Sequence, residues 1–261
     1  MRHISAGLAA CLCMLCLTAC GPSSAPDTDT QSQPPSGSPQ PSQAAQEEAS
    51  FVPTPSLEVV DTVFYTSDYA GGCIYMAARV KNTGNVVVGL DQWGSSFDVF
   101  DAGGALICHE DRPEIAPEVI GAGEYGYLSA VVLDDAADWQ ACAQVQCNVS
   151  WDTLVAIPDR IPLEDISCQE YSGNFYAFAG MLVNDREYDV ADVTPVVALF
   201  DPQTDAFLGV SIGHGVDSVP GGGRIGTNGH SGAPIPLSAF PFDQVNPTVE
   251  AFGAYQIPID G

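Results

Sequence analysis

The feature that most constrains this chain is an internal repeat. Leu57-Glu58-Val59-Val60 opens one half, and Leu163-Glu164-Asp165-Ile166 opens the other. A strand pattern from Cys73 to Val80, running into Lys81-Asn82-Thr83-Gly84-Asn85, is matched by Phe175 to Val183 running into Asn184-Asp185. Phe97-Asp98-Val99-Phe100-Asp101 is matched by Val197-Ala198-Leu199-Phe200-Asp201, and Ile120-Gly121-Ala122-Gly123 by Val219-Pro220-Gly221-Gly222. Tyr125 to Leu133 and Trp139 to Trp151 add strands to the first copy, and Thr248 to Ile257 closes the second. The offset stays at about 100 residues throughout, so each copy is one supersecondary plan used twice. Short β-branched runs separated by Asn, Asp and Gly turns predict strands and hairpins rather than helices. Two copies of that size suit two tandem β-sandwiches, residues 56–157 and 158–261. The boundary is expected at Ile157 to Pro162, marked by Pro158 and Pro162.

Composition narrows the function. There are 33 acidic and 7 basic residues, a formal charge of −26. Such a chain cannot displace the counterions of a nucleic acid, so that class of partner is excluded. With 46% hydrophobic residues it still has the apolar matter for a core. A surface this acidic keeps a protein soluble and monomeric while repelling itself.

The first residues read as an address. Arg2 supplies a positive start, Ile4 to Leu17 is mostly apolar, and small residues follow. That is the pattern of a secretory signal peptide, and it is short for a membrane span. Its end, Leu17-Thr18-Ala19-Cys20-Gly21, resembles the bacterial lipobox. The resemblance implies that residues 1–19 are removed and that Cys20 is lipidated, placing the protein on the extracytoplasmic side of the cell membrane. Two or more acyl chains of the palmitate type anchor stably where one would not. From Gly21 to Ser50 the chain is rich in Pro, Ser, Gln, Thr and Ala, with no Lys, Arg or aromatic residue. It cannot bury enough apolar surface to offset its ordering entropy. Residues 20–55 are therefore expected to be a lipidated, disordered tether spanning roughly 30 Å.

Phe97-x-Val99-Phe100-Asp101 and Val197-x-Leu199-Phe200-Asp201 resemble the F-x-L-Y-D signature of a family of small bacterial extracytoplasmic domains. The same order of elements follows in both copies: a strand ending in Asn, the signature strand, a Gly turn and a Gly-containing lead into another strand. The first copy has Ala122-Gly123 where the pattern has Pro-Gly, and the second has Val197 in place of the leading Phe. The resemblance implies an all-β fold of two tandem immunoglobulin-like domains and no catalytic residues. Phe97 and Val99 share one face of their strand, which would be the core face, and Asp101 begins the turn with a carboxylate that can accept local backbone N–H groups.

Nine cysteines are present. Cys11, Cys13 and Cys16 leave with the signal peptide and Cys20 is spent on lipid. Cys73, Cys108, Cys142, Cys147 and Cys168 remain. Outside the membrane pairing is favoured, and two disulfides within the first half with Cys168 free is the expectation, with the connectivity open. No C-x-x-C pair exists to suggest zinc.

Other patterns have plainer readings. Gly221-Gly222-Gly223-Arg224-Ile225-Gly226 matches G-x-G-x-x-G by letter, but a helix would have to follow it, and Thr227 to Gly232 is poor helix material. Gly229-His230-Ser231-Gly232-Ala233 misses the nucleophile elbow. His109-Glu110-Asp111 would alternate between faces of a strand and so would not converge. Asp134-Asp135-Ala136-Ala137-Asp138 and Asp201-Pro202-Gln203-Thr204-Asp205 are acidic but lack calcium-loop spacing. Asn148-Val149-Ser150 forms a glycosylation sequon with no evident use. Trp93, Trp139 and Trp151 are either core or contact residues.

The sequence therefore points to a non-catalytic, lipid-anchored interaction or structural module of the cell envelope, without cofactor or resident metal. Its partner would be a protein or wall polymer. The alternative is a solute-binding or calcium-dependent ligand-binding lipoprotein. A cavity between the halves lined by Trp and Tyr would favour the second.

Overall fold

The computed structural model describes residues 51–68, 71–133, 138–171, 175–227, 235–236 and 248–257, with no side-chain account for 169–171, 175, 235 and 236. The signal peptide, Cys20, nearly all of the tether, most of the Asp134–Asp138 cluster and His230-Ser231 lie outside these residues. From Ser50 onward the chain forms one compact unit. Among the described residues no helix is long and apolar enough to cross a membrane.

The fold is all-β, built of packed antiparallel sheets. In the first half, β1 (Leu57–Ser67), β2 (Cys73–Asn82), β3 (Val88–Asp101), β4 (Leu106–Asp111), β5 (Glu114–Ala116), β6 (Val119–Ile120), β7 (Tyr125–Leu133) and β8 (Cys142–Thr153) follow in order. One sheet runs β1-β2-β7-β5; the other runs β4-β3-β6, with β8 also paired to β3. The second half comprises β9 (Ile157–Tyr171), β10 (Phe175–Val183), β11 (Val190–Phe200), β12 (Phe207–Ile212), β13 (Val216–Val219), β14 (Arg224–Thr227), β15 (Ile235–Pro236) and β16 (Thr248–Ile257). Here the path is β12-β11-β16-β9-β10-β14, with β13 on β11 and β15 on β10.

The repeat seen in the sequence recurs in the pairing. β1–β2 corresponds to β9–β10, β2–β7 to β10–β14, β3–β4 to β11–β12, β3–β8 to β11–β16 and β3–β6 to β11–β13. The hydrogen bonds recur too. Asn82 Nδ2 donates to the carbonyls of Val86 (2.7 Å) and Ile120 (3.1 Å), and Asn184 Nδ2 donates to those of Tyr188 (2.8 Å) and Val219 (2.9 Å). Asp101 Oδ1 accepts from the backbone N–H groups of Gly103 and Ala105, and Asp201 Oδ1 from those of Gln203 and Thr204. Both carboxylates close the turn after the signature strand, as short polar side chains at turn starts do. Phe97 and Val99 are fully buried in the first core.

The stretch at the expected boundary is strand, the opening of β9. Residues 157–162 pair with β16, and residues 163–171 of the same strand pair with β10. Pro158 and Pro162 are tolerated because this stretch has a neighbour on one side only, where a missing N–H costs no ladder bond.

The halves also share a core. One face of the β1-β2-β7-β5 sheet packs on β3 and β8 through Ile74, Met76, Leu128 and Phe97. Its other face, carrying Tyr75, Ala77 and Tyr127, belongs to the buried cluster of the second half with Val196, Leu199 and Phe252. Tyr75 Oη donates to the Val210 carbonyl (2.7 Å) and accepts from the Val210 N–H (2.9 Å), while Tyr65 Oη donates to the Leu208 carbonyl (2.8 Å). β12 is the outer strand of its sheet, so these hydroxyls occupy backbone that would otherwise be an open edge. Arg79 continues the seam: it pairs with Asp61 at 2.7 Å and lies 5.1 Å from the Phe200 ring centre.

The two expected disulfides are not formed: Cys73, Cys108, Cys142, Cys147 and Cys168 are all thiols. For one pairing, Cys108 with Cys147, register gives the reason. Cys108 lies beside Val99 on β4 and Cys147 beside Phe97 on β8, so the two flank β3 from opposite sides. Two strand spacings, about 10 Å, exceed the reach of a disulfide, roughly 7 Å between Cα atoms.

Candidate functional site

The seam between the halves opens into a groove of about 910 Å3. One wall is the start of β11 with the end of β16, contributing Tyr188, Val190, Asp192 and Tyr255; Ile115 and Val119 face it. Val155 and Ala156, just before β9, form the rim. The aromatic wall is held rigidly. Asp159 accepts from Tyr255 Oη (2.9 Å) and from the Arg160 N–H (2.7 Å), and it pairs with Arg186 at 2.8 Å. Arg186 also donates to Tyr188 Oη (3.2 Å) and to the Arg160 carbonyl (3.2 Å), with its guanidinium 5.5 Å from the Tyr255 ring centre. Desolvation pushes the Asp159 carboxyl up, but those donors and the Arg186 charge outweigh it and hold the group below its usual range. The Tyr255 phenol is raised by desolvation and by the same carboxylate.

Part of the surface this groove shows to solvent is apolar. Val155 is 91% exposed and Tyr188 50%, with Leu154 and Ile157 exposed beside them in the chain. Glu118, Asp189 and Asp192 add exposed carboxylates. Asp192 holds a left-handed φ of 52° at the point where β11 passes from β13 to β16, a conformation an Asp tolerates better than a branched residue. A second hollow of about 350 Å3 adjoins the first through Ile115, Glu118 and Thr194, and it carries Trp93, Asp91 and His214. Among the described residues neither hollow is lined by Lys or Arg.

The residues singled out in the sequence fall mostly elsewhere. Gly221 and Gly222 form a turn and Arg224–Thr227 is strand, so no helix terminus faces that loop. Its amides are spent on Asp189, the Arg186 carbonyl and the Pro220 carbonyl. His109 Nδ1 lies 2.7 Å from Asp98 Oδ1, and Asp111 contacts Arg112 at 3.4 Å. Glu110 between them is raised mainly by desolvation. The side-chain amide of Asn148 donates to Asp98 at 2.7 Å. Among the described residues no three His, Cys, Asp or Glu side chains gather to hold a metal. Trp93 is exposed at the second hollow with Arg112 5.3 Å from its ring centre, Trp151 packs on the first core, and Trp139 Nε1 donates to the Gly71 carbonyl at 3.1 Å. Val155 and Tyr188 were not foreseen. For Val155 the signal was Leu154-Val155-Ala156-Ile157, an apolar run at the end of the first copy; Tyr188 had none. No family model matches the chain, and no match to it is found among the curated proteins.

Proposed function

We propose that this chain is a non-catalytic, lipid-anchored interaction module of the cell envelope, held by diacylglycerol on Cys20 and raised on the tether, with its two immunoglobulin-like units of the F-x-L-Y-D type acting as one rigid head, monomeric by virtue of its charge. The observation that carries the reading is the seam groove, where exposed Val155 and Tyr188 present apolar surface on a scaffold that Asp159 and Arg186 keep fixed. Contiguous exposed apolar surface of this kind marks interaction sites. The solute-binding reading draws on the groove's volume, about 910 Å3, which lies in the range of small-ligand sites, and on the Tyr188, Tyr255 and Trp93 lining that was expected to favour it. It fits less well, because a small-ligand site encloses most of its ligand, whereas Val155 stands almost wholly in solvent.

The test is retention of envelope proteins or wall material on the purified full chain, set against a Val155→Ser/Tyr188→Ala variant. A component held by the first and released by the second supports the module. Nothing held at physiological salt overturns it.

A further inference from the structure

We propose that the seam groove takes a cationic, amphipathic polypeptide segment, one that lays aliphatic or aromatic side chains against Val155 and Tyr188 and sets Lys or Arg against the acidic flank. This rests on the interaction-module reading and names its partner's chemistry.

Three observations converge. The first is contact surface. Val155 and Tyr188 line the groove exposed; Leu154 and Ile157, also exposed, lie beside Val155 in the chain, with Ile157 paired to the groove residue Ile257. An aromatic with aliphatic neighbours is the composition of an interface core. The second is charge. Glu118, Asp189 and Asp192 flank the apolar arc, and Asp91 extends the acidic line into the adjoining hollow past the exposed Trp93. The bases of the surrounding network are already committed, Arg186 to Asp159 at 2.8 Å, Arg160 to Glu250 at 3.2 Å and Arg112 to the Trp93 ring and Asp111. A concave surface lined by one sign of charge focuses its field outward. The third is the whole chain. At −26 it repels a second copy of itself and any acidic partner, so the complementary occupant must bring positive charge. The two adjoining hollows give a path longer than one side chain, which suits a segment rather than a single amine.

The probe is a pair of fluorescein-labelled synthetic peptides of equal length, one of Lys, Leu and Phe, the other with every Lys replaced by Glu. Binding to the purified full chain is read by anisotropy. The expected result is saturable binding of the Lys peptide, weakened about tenfold by Val155→Ser/Tyr188→Ala and by Glu118→Gln/Asp192→Asn. Neutralising two exposed acids away from the groove, Glu58→Gln/Asp68→Asn, should change affinity by less than about twofold. Equal losses from both neutralised pairs would mean diffuse attraction to an acidic body and would overturn the proposal. So would equal binding of the Glu peptide, or no binding of the Lys peptide. Sedimentation showing a dimer dispersed by Val155→Ser would assign the groove to a second copy and overturn it as well. If envelope extracts yield a groove-dependent partner while the Lys peptide fails, the module reading stands and the cationic assignment falls.

Discussion

At the residue scale, the side chains that fix this molecule are polar groups placed against backbone. Asp101 and Asp201 close matched turns, and Asp201 has its carboxyl held below the ordinary range by the N–H groups of Gln203 and Thr204. His109 shows the same logic on an exposed strand. Its hydrogen bond to Asp98 raises its pKa, against a small opposing desolvation, with the nearby charges of Asp98, Asp111 and Glu110 adding to the rise. The stability this contact gives is fully present below the unfolded histidine value of about 6.5 and is lost as pH climbs through the higher folded value. An NMR titration should therefore place the His109 midpoint above 6.5 and return it toward that value in Asp98→Asn. An unchanged midpoint in the variant would mean that the pair does not persist in solution.

At the element scale, the unit of design is the hairpin lock that each half repeats. Asn82 ends β2 and Asn184 follows β10; each is buried, each donates to two carbonyls, and each accepts from a backbone N–H two residues on. Replacing Asn82 by Ala strands these buried groups and should cost about 3 kcal/mol, and Asn184→Ala should cost a similar amount. Chemical denaturation of both variants checks this, and a near-neutral result for either would show that the locks are not equivalent. Strand positions were legible from period and turn residues: Tyr125 to Leu133, Phe175 to Val183 and Thr248 to Ile257 are strands with those same limits. Cys73 to Val80 and Pro195 to Phe200 carried a further message. Apolar runs there, broken only by Arg79 in the first, reflect strands covered almost entirely on both faces. The disulfide expectation failed because compartment says that cysteines can pair, while only register says which ones meet. The prolines at 158 and 162 fall in the opening stretch of β9, which pairs on one side only, a place where proline is tolerated. The groove was hidden for a different reason. Its residues come from four separated stretches, around 115, 155, 190 and 255, and only the shared seam brings them together.

At the scale of the whole molecule, two opposed terms set behaviour. The tyrosine seam welds the halves into one core, while a charge of −26 pushes the surface apart. The weld predicts a single cooperative thermal transition for the head, since neither half can open without exposing the cluster they share. The charge predicts that the transition temperature rises between low and moderate salt, as counterions screen the repulsion. Calorimetry at two ionic strengths tests both. Two resolved peaks would contradict the weld, and a salt-independent midpoint would contradict the second expectation.

The weld also bears on how such a chain can be cut. Domain borders in repeat proteins usually invite excision, but severing this one ahead of Ile157 would leave Tyr65, Tyr75 and Tyr127 bare on one fragment and the flank of β12 unclothed on the other. Duplication supplied two copies of a plan, and the aromatic face between them has made each a prosthesis for its twin.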